Sequence, residues 1–239
     1  MHDDPLWLPG VHPAPNIHGH AEVYETENRA ADPDQLIERA MRSIHDWRDA
    51  LVADLGCGTG FHLPRFSQTA RHVFGIEPHG PSRLLAMRRC ADLGLANVSV
   101  MTGSAERFPI ADEMVDVVHA RFAYFFGPGS ERGVTEVMRV LRPGGAAFII
   151  DNDLRHGTFA TWLARSSWAP SHSADDVEAF WAVRGFQLLR IPSAWRFESR
   201  ADFEAVMRIE FPPDLAERLI AEHRGTVVEY HYSLYHRLR

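Results

Sequence analysis

Apolar residues recur along the chain with two different spacings, and together these predict strands that alternate with helices. The runs LVADL, HVFGI, VSVM, VDVVHA and AAFIID have the length and the β-branched content of buried strands. Between them lie segments with apolar positions at helical spacing, among them GPSRLLAMRRCADLG, which ends at Gly94, and SERGVTEVMRVL. Such an alternation favours right-handed crossovers and a mostly parallel sheet, so the predicted fold class is α/β.

Further elements are predicted on both sides of this region. Upstream, DPDQLIERAMRSIHDWRD places its apolar residues on one helical face, with Asp32 or Asp34 as the cap and Pro33 in the first turn. Downstream of Asp151 we predict helices near 157–168 and 174–184, a strand FQLLRIPSAWRF, helices at 199–209 and in FPPDLAERLIAEHR, and a half-exposed terminal strand TVVEYHYSLYHRL. The domain prediction is an N-terminal arm at 1–31 and a single domain at 32–239, with a helical lid within 155–213.

Composition narrows the class of protein. The chain has 239 residues and a net charge of −7, and all 25 of its basic residues are arginine. This acidic balance disfavours nucleic acid and anionic membranes as partners, although a local arginine patch is compatible with it. Cys57 and Cys90 form neither a disulfide framework nor a metal-binding pattern, so no metal is expected. The acidic start and the lack of a long apolar run predict a soluble, cytoplasmic protein without a membrane span.

The segment LVADLGCGTGFH, residues 51–62, carries the most specific signal in the chain. Its apolar strand contains one acid, Asp54, and glycine follows at positions 56, 58 and 60. A glycine-rich turn between a strand and a helix is expected to leave backbone N–H groups open to a ligand. The spacing G-x-G-x-G differs from the dinucleotide fingerprint G-x-G-x-x-G, in which the third glycine comes one position later. A tight turn without a ligand is the structural alternative.

Charge separates the two classes of nucleotide that such a loop can bind. A diphosphate would be repelled by the carboxylate of Asp54, whereas a cationic amino group would be attracted to it. S-adenosylmethionine carries an ammonium and a sulfonium group and has no phosphate. Glu77, which follows the next strand, is placed to accept the ribose hydroxyls of either class and does not discriminate between them. The loop therefore favours S-adenosylmethionine and disfavours an NAD-linked oxidoreductase.

Four segments of the chain resemble the class I S-adenosylmethionine-dependent methyltransferases, in particular the branch that includes ubiquinone and menaquinone methylases. They are VADLGCGTG, VFGIEPH, GSAERFPIADEMVDVVHARFAYFF and EVMRVLRPGGAAFIID, in this order between about residue 50 and residue 151. The resemblance implies a Rossmann-like, mostly parallel sheet of seven strands in the order 3-2-1-4-5-7-6, with the last strand antiparallel and helices on both faces. It also implies S-adenosylmethionine as the cofactor and S-adenosylhomocysteine as the product.

The resemblance further implies contacts with the methionine part and the ribose of the cofactor. Asp54 and the backbone of Gly56, Cys57 and Gly58 would hold the methionine part, and Glu77 would take the ribose. We interpret Cys57 as a small residue that the loop requires, rather than as a nucleophile.

Contacts with the adenine follow from two other segments. Pro78 or His79 would lie against the adenine ring. The segment GSAE matches a family pattern usually written G-D-A-E, in which the acid and the following N–H read the adenine edge. Ser104 replaces that acid here, so the contacts of Ser104, Ala105 and Glu106 lack one charge-assisted hydrogen bond.

The N-terminal segment YETENRAADP resembles the arm that closes over the cofactor in many relatives. Tyr24 and Asn28 would then contact the methionine carboxylate, whereas an exposed segment leading into the first helix is the alternative. The end of the fourth predicted strand, which includes Arg121, would border the sulfonium. Arg121 would contact the cofactor there, with recognition of an anionic substrate or pairing with an acid as alternatives.

Methyl transfer from a sulfonium is an in-line displacement to which positioning contributes most of the acceleration. A base is needed only if the acceptor arrives protonated, and His119 and His156 are the candidates. A packed strand residue and a helix-start residue are the structural alternatives for these two histidines. The predicted function is S-adenosylmethionine-dependent methyl transfer to a small-molecule partner. An RNA-modifying methyltransferase and a non-catalytic cofactor-binding protein are the alternatives, and the sequence does not indicate an oligomeric state.

Aromatic residues are concentrated after Asp151. In this fold they would line either a lid over an apolar acceptor or an ordinary hydrophobic core. The residues concerned are Trp162, Trp168, Trp181, Trp195, Phe197, Phe203 and Phe211.

Overall fold

The computed structural model describes residues 8, 11 and 14–239 of the chain. The predicted N-terminal arm at 1–31 therefore lies partly outside the described residues. The described helices are α1 (Pro15–Gly19), α2 (Ala21–Ala30), α3 (Leu36–Ile44), α4 (Leu63–Ser67), α5 (Gly80–Asp92), α6 (Glu131–Val140), α7 (Gly157–Leu163), α8 (Ala174–Ala182), α9 (Arg200–Glu210) and α10 (Pro213–Glu222). The strands are β1 (Leu51–Leu55), β2 (His72–Ile76), β3 (Val98–Met101), β4 (Val115–Arg121), β5 (Leu141–Asn152), β6 (Gln187–Arg196) and β7 (Val227–Leu238).

The seven strands form one sheet in the order β3-β2-β1-β4-β5-β7-β6. The strands from β1 to β5 pair in parallel, and β7 lies antiparallel to both β5 and β6. The strand order and the antiparallel last strand are thus confirmed. The order reverses between β1 and β4, where the connections leave in opposite directions and open a crevice at the carboxyl ends of the strands. That crevice is where the fold places a ligand.

Helices cover both faces of the sheet because each strand in the middle is apolar on both sides. One buried cluster packs α3, α4, α5, α7, α9 and α10 against the first face, and the other packs α6 and α8 against the opposite face. Of the seven Trp and Phe residues named above in the region after Asp151, six belong to these clusters and Trp168 is 53% exposed, so the core interpretation holds for those six. The longest described helix, α5, has 13 residues, which is too few to cross a bilayer.

The last strand differs from its prediction. Val228 to Tyr232 alternate between buried and more exposed positions as expected, but Ser233, Leu234 and Tyr235 are all buried. The prediction of a half-exposed strand is wrong for this part because β7 lies between β5 and β6 and carries helices on both faces. The last strand in the chain is therefore an interior strand of the sheet.

The helices before β1 begin differently from the sequence pattern. The N-cap position of α3 is held by Gln35, and the Asp32 carboxylate accepts the N–H groups of Leu36 (3.0 Å) and Ile37 (2.9 Å) in its place. The helix begins only at Leu36, so the prediction of Pro33 in its first turn is wrong. The helix α2 has no predicted counterpart. It packs mainly against α9, and Ala31, just after its end, pairs with Trp195 of β6. This packing holds α2 across the carboxyl edge of the sheet.

Candidate functional site

The glycine loop after β1 is shaped by its own chain. Gly56 and Gly58 have φ values of +66° and +55°, which an L-residue adopts only under strain. A Cβ atom on Gly56 would lie 2.4 Å from Cβ of Ala123, and one on Gly58 would lie 2.7 Å from Cδ1 of Ile17. The loop is therefore packed between the segment after β4 and the helix α1. These glycines are required by the backbone and by this close approach, with or without a ligand.

The backbone amides of the loop donate within the chain. The N–H groups of Gly56 and Cys57 both donate to the carbonyl of Ile76, at 2.8 and 3.2 Å, and the N–H of Gly58 donates to Glu77 Oε2 at 2.8 Å. The helix α4 begins only at Leu63, so its N-terminus does not follow the glycines directly. The prediction that the loop leaves its N–H groups open to a ligand is thus wrong for these three residues. They offer no cradle for a phosphate.

The acid of β1 is paired on one side and unpaired on the other. Asp54 and His119 are direct neighbours in the parallel pairing of β1 with β4, and the His119 ring nitrogen Nδ1 donates to Asp54 Oδ1 at 2.7 Å. Each residue is 3% exposed, and the His119 ring lies edge-on to Phe66 at 5.0 Å. Asp54 Oδ2 is buried and has no hydrogen-bond partner among the residues that the structure describes. An unpaired buried carboxylate oxygen is costly, so this atom is an acceptor available to a ligand.

Glu77 stands on the other side of the loop in a fixed orientation. Its Oε2 accepts the N–H of Gly58 and its Oε1 accepts the N–H of His79, each at 2.8 Å. The residue is only 4% exposed, and desolvation raises the pKa of its carboxyl group above the usual value against the effect of the two backbone bonds. Pro78 follows directly, and its carbonyl is 3.5 Å from a nitrogen of Arg83. The structure thus brings Asp54, Glu77 and the loop together.

The GSAE segment divides into two parts. Ser104 and Arg107 form an isolated β-bridge, and the Ser104 hydroxyl makes no hydrogen bond within residues 14–239. Ala105 is buried beside it. Glu106 is exposed and accepts the hydroxyl of Tyr124 at 3.0 Å, so its carboxylate is engaged with the segment after β4.

The residues predicted on the N-terminal arm lie on α2. Tyr24 is close enough to Arg121 for the two side chains to interact electrostatically, and desolvation holds the pKa of its phenol well above the usual value. Asn28 is half-buried, and its side chain makes no hydrogen bond in the described part of the chain. Glu25 fastens α2 to the loop, since it accepts the Thr59 hydroxyl and forms a 2.7 Å ion pair with Arg89. A groove of about 490 Å³ runs between α2 and α5 at this point.

His156 lies away from the loop. Its ring nitrogen Nδ1 contacts Asp153 Oδ2 at 2.9 Å, its ring faces that of His231 at 6.1 Å, and its side chain is 51% exposed. The structure does not bring it together with Asp54 or Glu77. Its catalytic role stays a prediction, as does that of the buried His119.

The analysis of motifs missed two acids near the crevice, the buried Glu27 and the half-buried Glu210. Glu27 on α2 is 7% exposed, and desolvation followed by its contact with Glu210 on α9 raises the pKa of its carboxyl group well above the usual value. The available signal was its position, because Glu27 lies at helical spacing from Val23 and Ala30 on the apolar face of α2. Burying an acid on an apolar helix face destabilises the fold, so such an acid is expected to serve binding or catalysis.

A model of the methyltransferase domain matches residues 52–145, which run from β1 into β5 and include the whole glycine loop. Residues 52–145 therefore resemble a methyltransferase domain, and solved S-adenosylmethionine-dependent methyltransferases share the fold of the chain. The chain is similar to the uncharacterized methyltransferase YcgJ of Bacillus subtilis, with 26% identity over 132 residues, 55% of this chain and 52% of that protein. It is also similar to a demethylmenaquinone methyltransferase of Lactiplantibacillus plantarum, with 32% identity over 111 residues, 45% of this chain and 47% of that protein.

The likeness to this methyltransferase family extends to the fold as a whole. The crystal structure of YcgJ superimposes with a TM-score of 0.64 at 18% identity, covering 86% of this chain and 98% of that one. In sequence the chain spans about half the length of the first curated relatives it matches, namely 39%, 52% and 54% of them.

The polar groups of the site fit the family's cofactor, S-adenosylmethionine. Asp54 Oδ2 is a buried acceptor to which no described residue donates, which suits an ammonium group. The Glu77 carboxylate retains free lone pairs beside its two backbone bonds, which suits the hydroxyls of a ribose. A phosphate, by contrast, would meet two carboxylates and no free amide of Gly56, Cys57 or Gly58. The residues therefore fit a cation without phosphates.

Proposed function

We propose that this protein transfers a methyl group from S-adenosylmethionine to a small-molecule acceptor by in-line displacement. The observation that carries the proposal is the pair of buried carboxyl groups, Asp54 and Glu77, on the two sides of a loop whose amides are already bonded. Such a site attracts a cation that bears hydroxyl groups and repels a diphosphate. The net charge of −7 supports a small molecule over RNA as the acceptor.

The roles proposed for the residues follow from their positions. Asp54 would bind the ammonium group through Oδ2, Glu77 would bind the ribose, and Pro78, Ser104 and Ala105 would lie along the adenine. On the arm, Tyr24 would contact the methionine carboxylate. Arg121 acts electrostatically on Tyr24 and would lie close to that carboxylate as well. The positions of Gly58 under Ile17 and of Thr59 beside Glu25 support a closing role for α1 and α2 over this loop.

The cofactor supplies a methyl group on a positively charged sulfur, which is a good neutral leaving group after transfer. The protein would contribute positioning, because the two carboxylates and the packed loop would hold the cofactor in one orientation. It would also exclude water, because Asp54, Glu77 and His119 are almost fully buried. Among bases, His119 is held by Asp54 and is the candidate nearer to the loop.

Calorimetry tests the cofactor side directly. We expect S-adenosylmethionine to bind the wild type and NAD not to bind. Glu77→Gln should weaken S-adenosylmethionine binding about tenfold or more, because it removes a charge-assisted hydrogen bond. Glu198→Gln is the matched control, since Glu198 is exposed. Binding of NAD, or equal affinity of the Glu77→Gln variant, would overturn the assignment.

Transfer of a labelled methyl group to a cell extract tests the acceptor side. After separation into small molecules, RNA and protein, we expect the label in the small-molecule fraction. Label in RNA would replace the small-molecule acceptor by the alternative. Tight cofactor binding with no label in any fraction would indicate a non-catalytic binding protein.

A further inference from the structure

The outer face of helix α5 exposes large apolar side chains. Leu84 is 57% exposed, Leu85 40% and Met87 49%, and the three lie within one turn of the helix. No other helix within residues 14–239 carries a large apolar side chain that is this exposed. An exposed apolar patch of this kind is typical of a surface that binds a partner.

The inner face of α5 is formed by small residues instead. Ser82, Ala86 and Cys90 are the buried residues of the helix. The helix lies so close to the glycine loop that a Cβ atom on Gly60 would be 3.0 Å from the Cβ of Ala86. An ordinary surface helix turns its large apolar residues toward the core, and α5 does the reverse. Packing within one chain therefore does not account for the outer face.

The outer face also carries two charges of opposite sign. Arg88 and Asp92 are exposed and lie one turn apart, and within residues 14–239 neither side chain forms a hydrogen bond or an ion pair. The neighbouring Arg89, by contrast, is paired with Glu25 at 2.7 Å. A face with one unpaired cation and one unpaired anion, a turn apart, is complementary to a second copy of itself that runs in the opposite direction.

Helix geometry allows this pairing to form twice. Arg88 and Asp92 lie about 40° apart around the helix axis, so both are on the same side of the outer face. When two copies pack antiparallel about a twofold axis, equal sides of the two helices meet. In the register that sets Arg88 opposite Asp92 of the partner subunit, Asp92 also faces Arg88 of the partner subunit. Ala91 then lies next to the axis, where its small side chain lets the helices approach.

The sizes of the side chains fit the same register. The first half of the outer face carries the large residues Leu84 and Met87, and the second half and the turn after it expose the small residues Ala91, Gly94 and Ala96. Reversal of one copy places the large half of each over the small half of the other, with Leu84 opposite Ala96 of the partner subunit. The face is therefore complementary to itself in shape as well as in charge.

A groove beside the helix gives the partner helix room. It runs between α2 and α5 with a volume of about 490 Å³, and Leu85, Arg88 and Asp92 line its wall on α5. The exposed Glu22 lines the opposite wall on α2. An arginine from a second copy would thus meet an acid on each wall of the groove.

We propose that two copies of this chain associate through α5, antiparallel about a twofold axis, with Arg88 of each copy paired to Asp92 of the partner subunit. Burial of the apolar side chains supplies most of the stability, because exposed ion pairs contribute little. The two ion pairs fix the direction and the register of the helices. The proposal is independent of the proposed function, although the paired helices would lie directly behind the glycine loop of each copy.

Sedimentation velocity over a range of concentrations measures the association. We expect the concentrated wild type to have twice the mass of one chain and to dissociate on dilution. Arg88→Asp and Asp92→Arg should each weaken the association about tenfold or more, because like charges then face each other. The double variant with both reversals restores opposite charges and should associate like the wild type. Arg224→Asp is the matched control, since Arg224 is exposed and the change in charge is the same.

Disulfide formation tests the register independently. With copper phenanthroline as the oxidant, Ala91→Cys should link two copies, because this position lies next to the axis. Ala96→Cys should not, because in the proposed pair the two copies of this position are more than about 15 Å apart along the helices. The natural cysteines, Cys57 and Cys90, are both buried.

Four outcomes would overturn the proposal. They are a wild type that stays a single chain at the highest concentration, association unchanged by both charge reversals, a double variant as weak as the single ones, and Ala96→Cys linking as readily as Ala91→Cys. All substituted residues are exposed. Thermal unfolding identifies any variant that does not fold, and the remaining reversals and the two cysteine variants then decide the result.

Discussion

Asp151, at the carboxyl end of β5, makes the stability of this protein depend on pH in a defined direction. Desolvation raises the pKa of its carboxyl group from 3.8 to about 7, against one bond from the N–H of Asn152 at 2.7 Å. Between these two pKa values the folded state binds more protons than the unfolded state, so stability falls as the pH rises through about 7. With 1.36 kcal/mol per tenfold change, this carboxyl group costs about 2 kcal/mol at pH 5 and about 4 kcal/mol at pH 8.

Replacing Asp151 by asparagine removes this titration, because the amide oxygen can still accept the N–H of Asn152 and carries no charge. Urea unfolding of the wild type and of Asp151→Asn at pH 5, 6.5 and 8 measures the effect. The variant should gain about 2 kcal/mol relative to the wild type between pH 5 and pH 8. Asp92→Asn, at an exposed site, should show no such gain. Parallel curves for the wild type and Asp151→Asn would show that the carboxyl group ionises in the folded protein as it does in water, and would refute the reasoning.

Three other substitutions test the packing around the glycine loop and the first helix of the domain. Gly56→Ala combines a left-handed backbone with a contact of 2.4 Å to Ala123, so the free energy of unfolding should fall by about 2 kcal/mol or more, and a loss below about 0.5 kcal/mol in urea would contradict the packing. Asp32→Ala leaves two first-turn amides of α3 without their acceptor and should cost about 1–3 kcal/mol, which thermal unfolding measures. His119→Ala leaves both carboxylate oxygens of Asp54 unpaired and should cost about 2–4 kcal/mol, whereas His119→Gln, which can donate, should recover part of this loss; equal losses would argue against the hydrogen bond.

The strands of the parallel part of the sheet could be predicted closely because burial on both faces leaves a plain signal. The runs LVADL, HVFGI and VSVM are β1, β2 and β3 with the predicted bounds, and β4 extends VDVVHA by Arg121. The strand β7 was harder because its first half alternates as an edge strand would, while Ser233 to Tyr235 are buried by neighbours far away in the sequence. The helix α2 was also hard to predict, because its weak apolar face contains the acid Glu27. This buried acid interrupts the amphipathic pattern of the helix.

The candidate site divides in the same way between local and distant determinants. Asp54, Glu77 and the glycines could be identified from one loop and the strand after it, because their spacing along the chain places them together. The partners of the loop amides could not be identified from the sequence. Two of these amides donate to the same carbonyl, that of Ile76 on a neighbouring strand. The contact of Glu27 with Glu210 depends on how α2 packs against α9, and neither sequence segment indicates the other.

The placement of the buried acids argues for chemistry over stability. An apolar side chain of similar volume at Glu27 or Asp54 would cost the fold less than a desolvated carboxyl group with one oxygen unpaired. In the rest of the core apolar side chains take these positions, since the largest fully buried side chains are aromatic or aliphatic. Three buried acids, Asp54, Glu77 and Glu27, lie around the crevice at the carboxyl ends of the strands, which is where this fold binds its ligands. The other buried acids of the described residues have partners in the chain, since Asp32 accepts the first amides of α3 and Asp153 contacts His156. A carboxyl oxygen that is costly in the empty protein and faces this crevice is explained by what binds to it, and a positively charged donor that carries ribose hydroxyls meets Asp54 and Glu77.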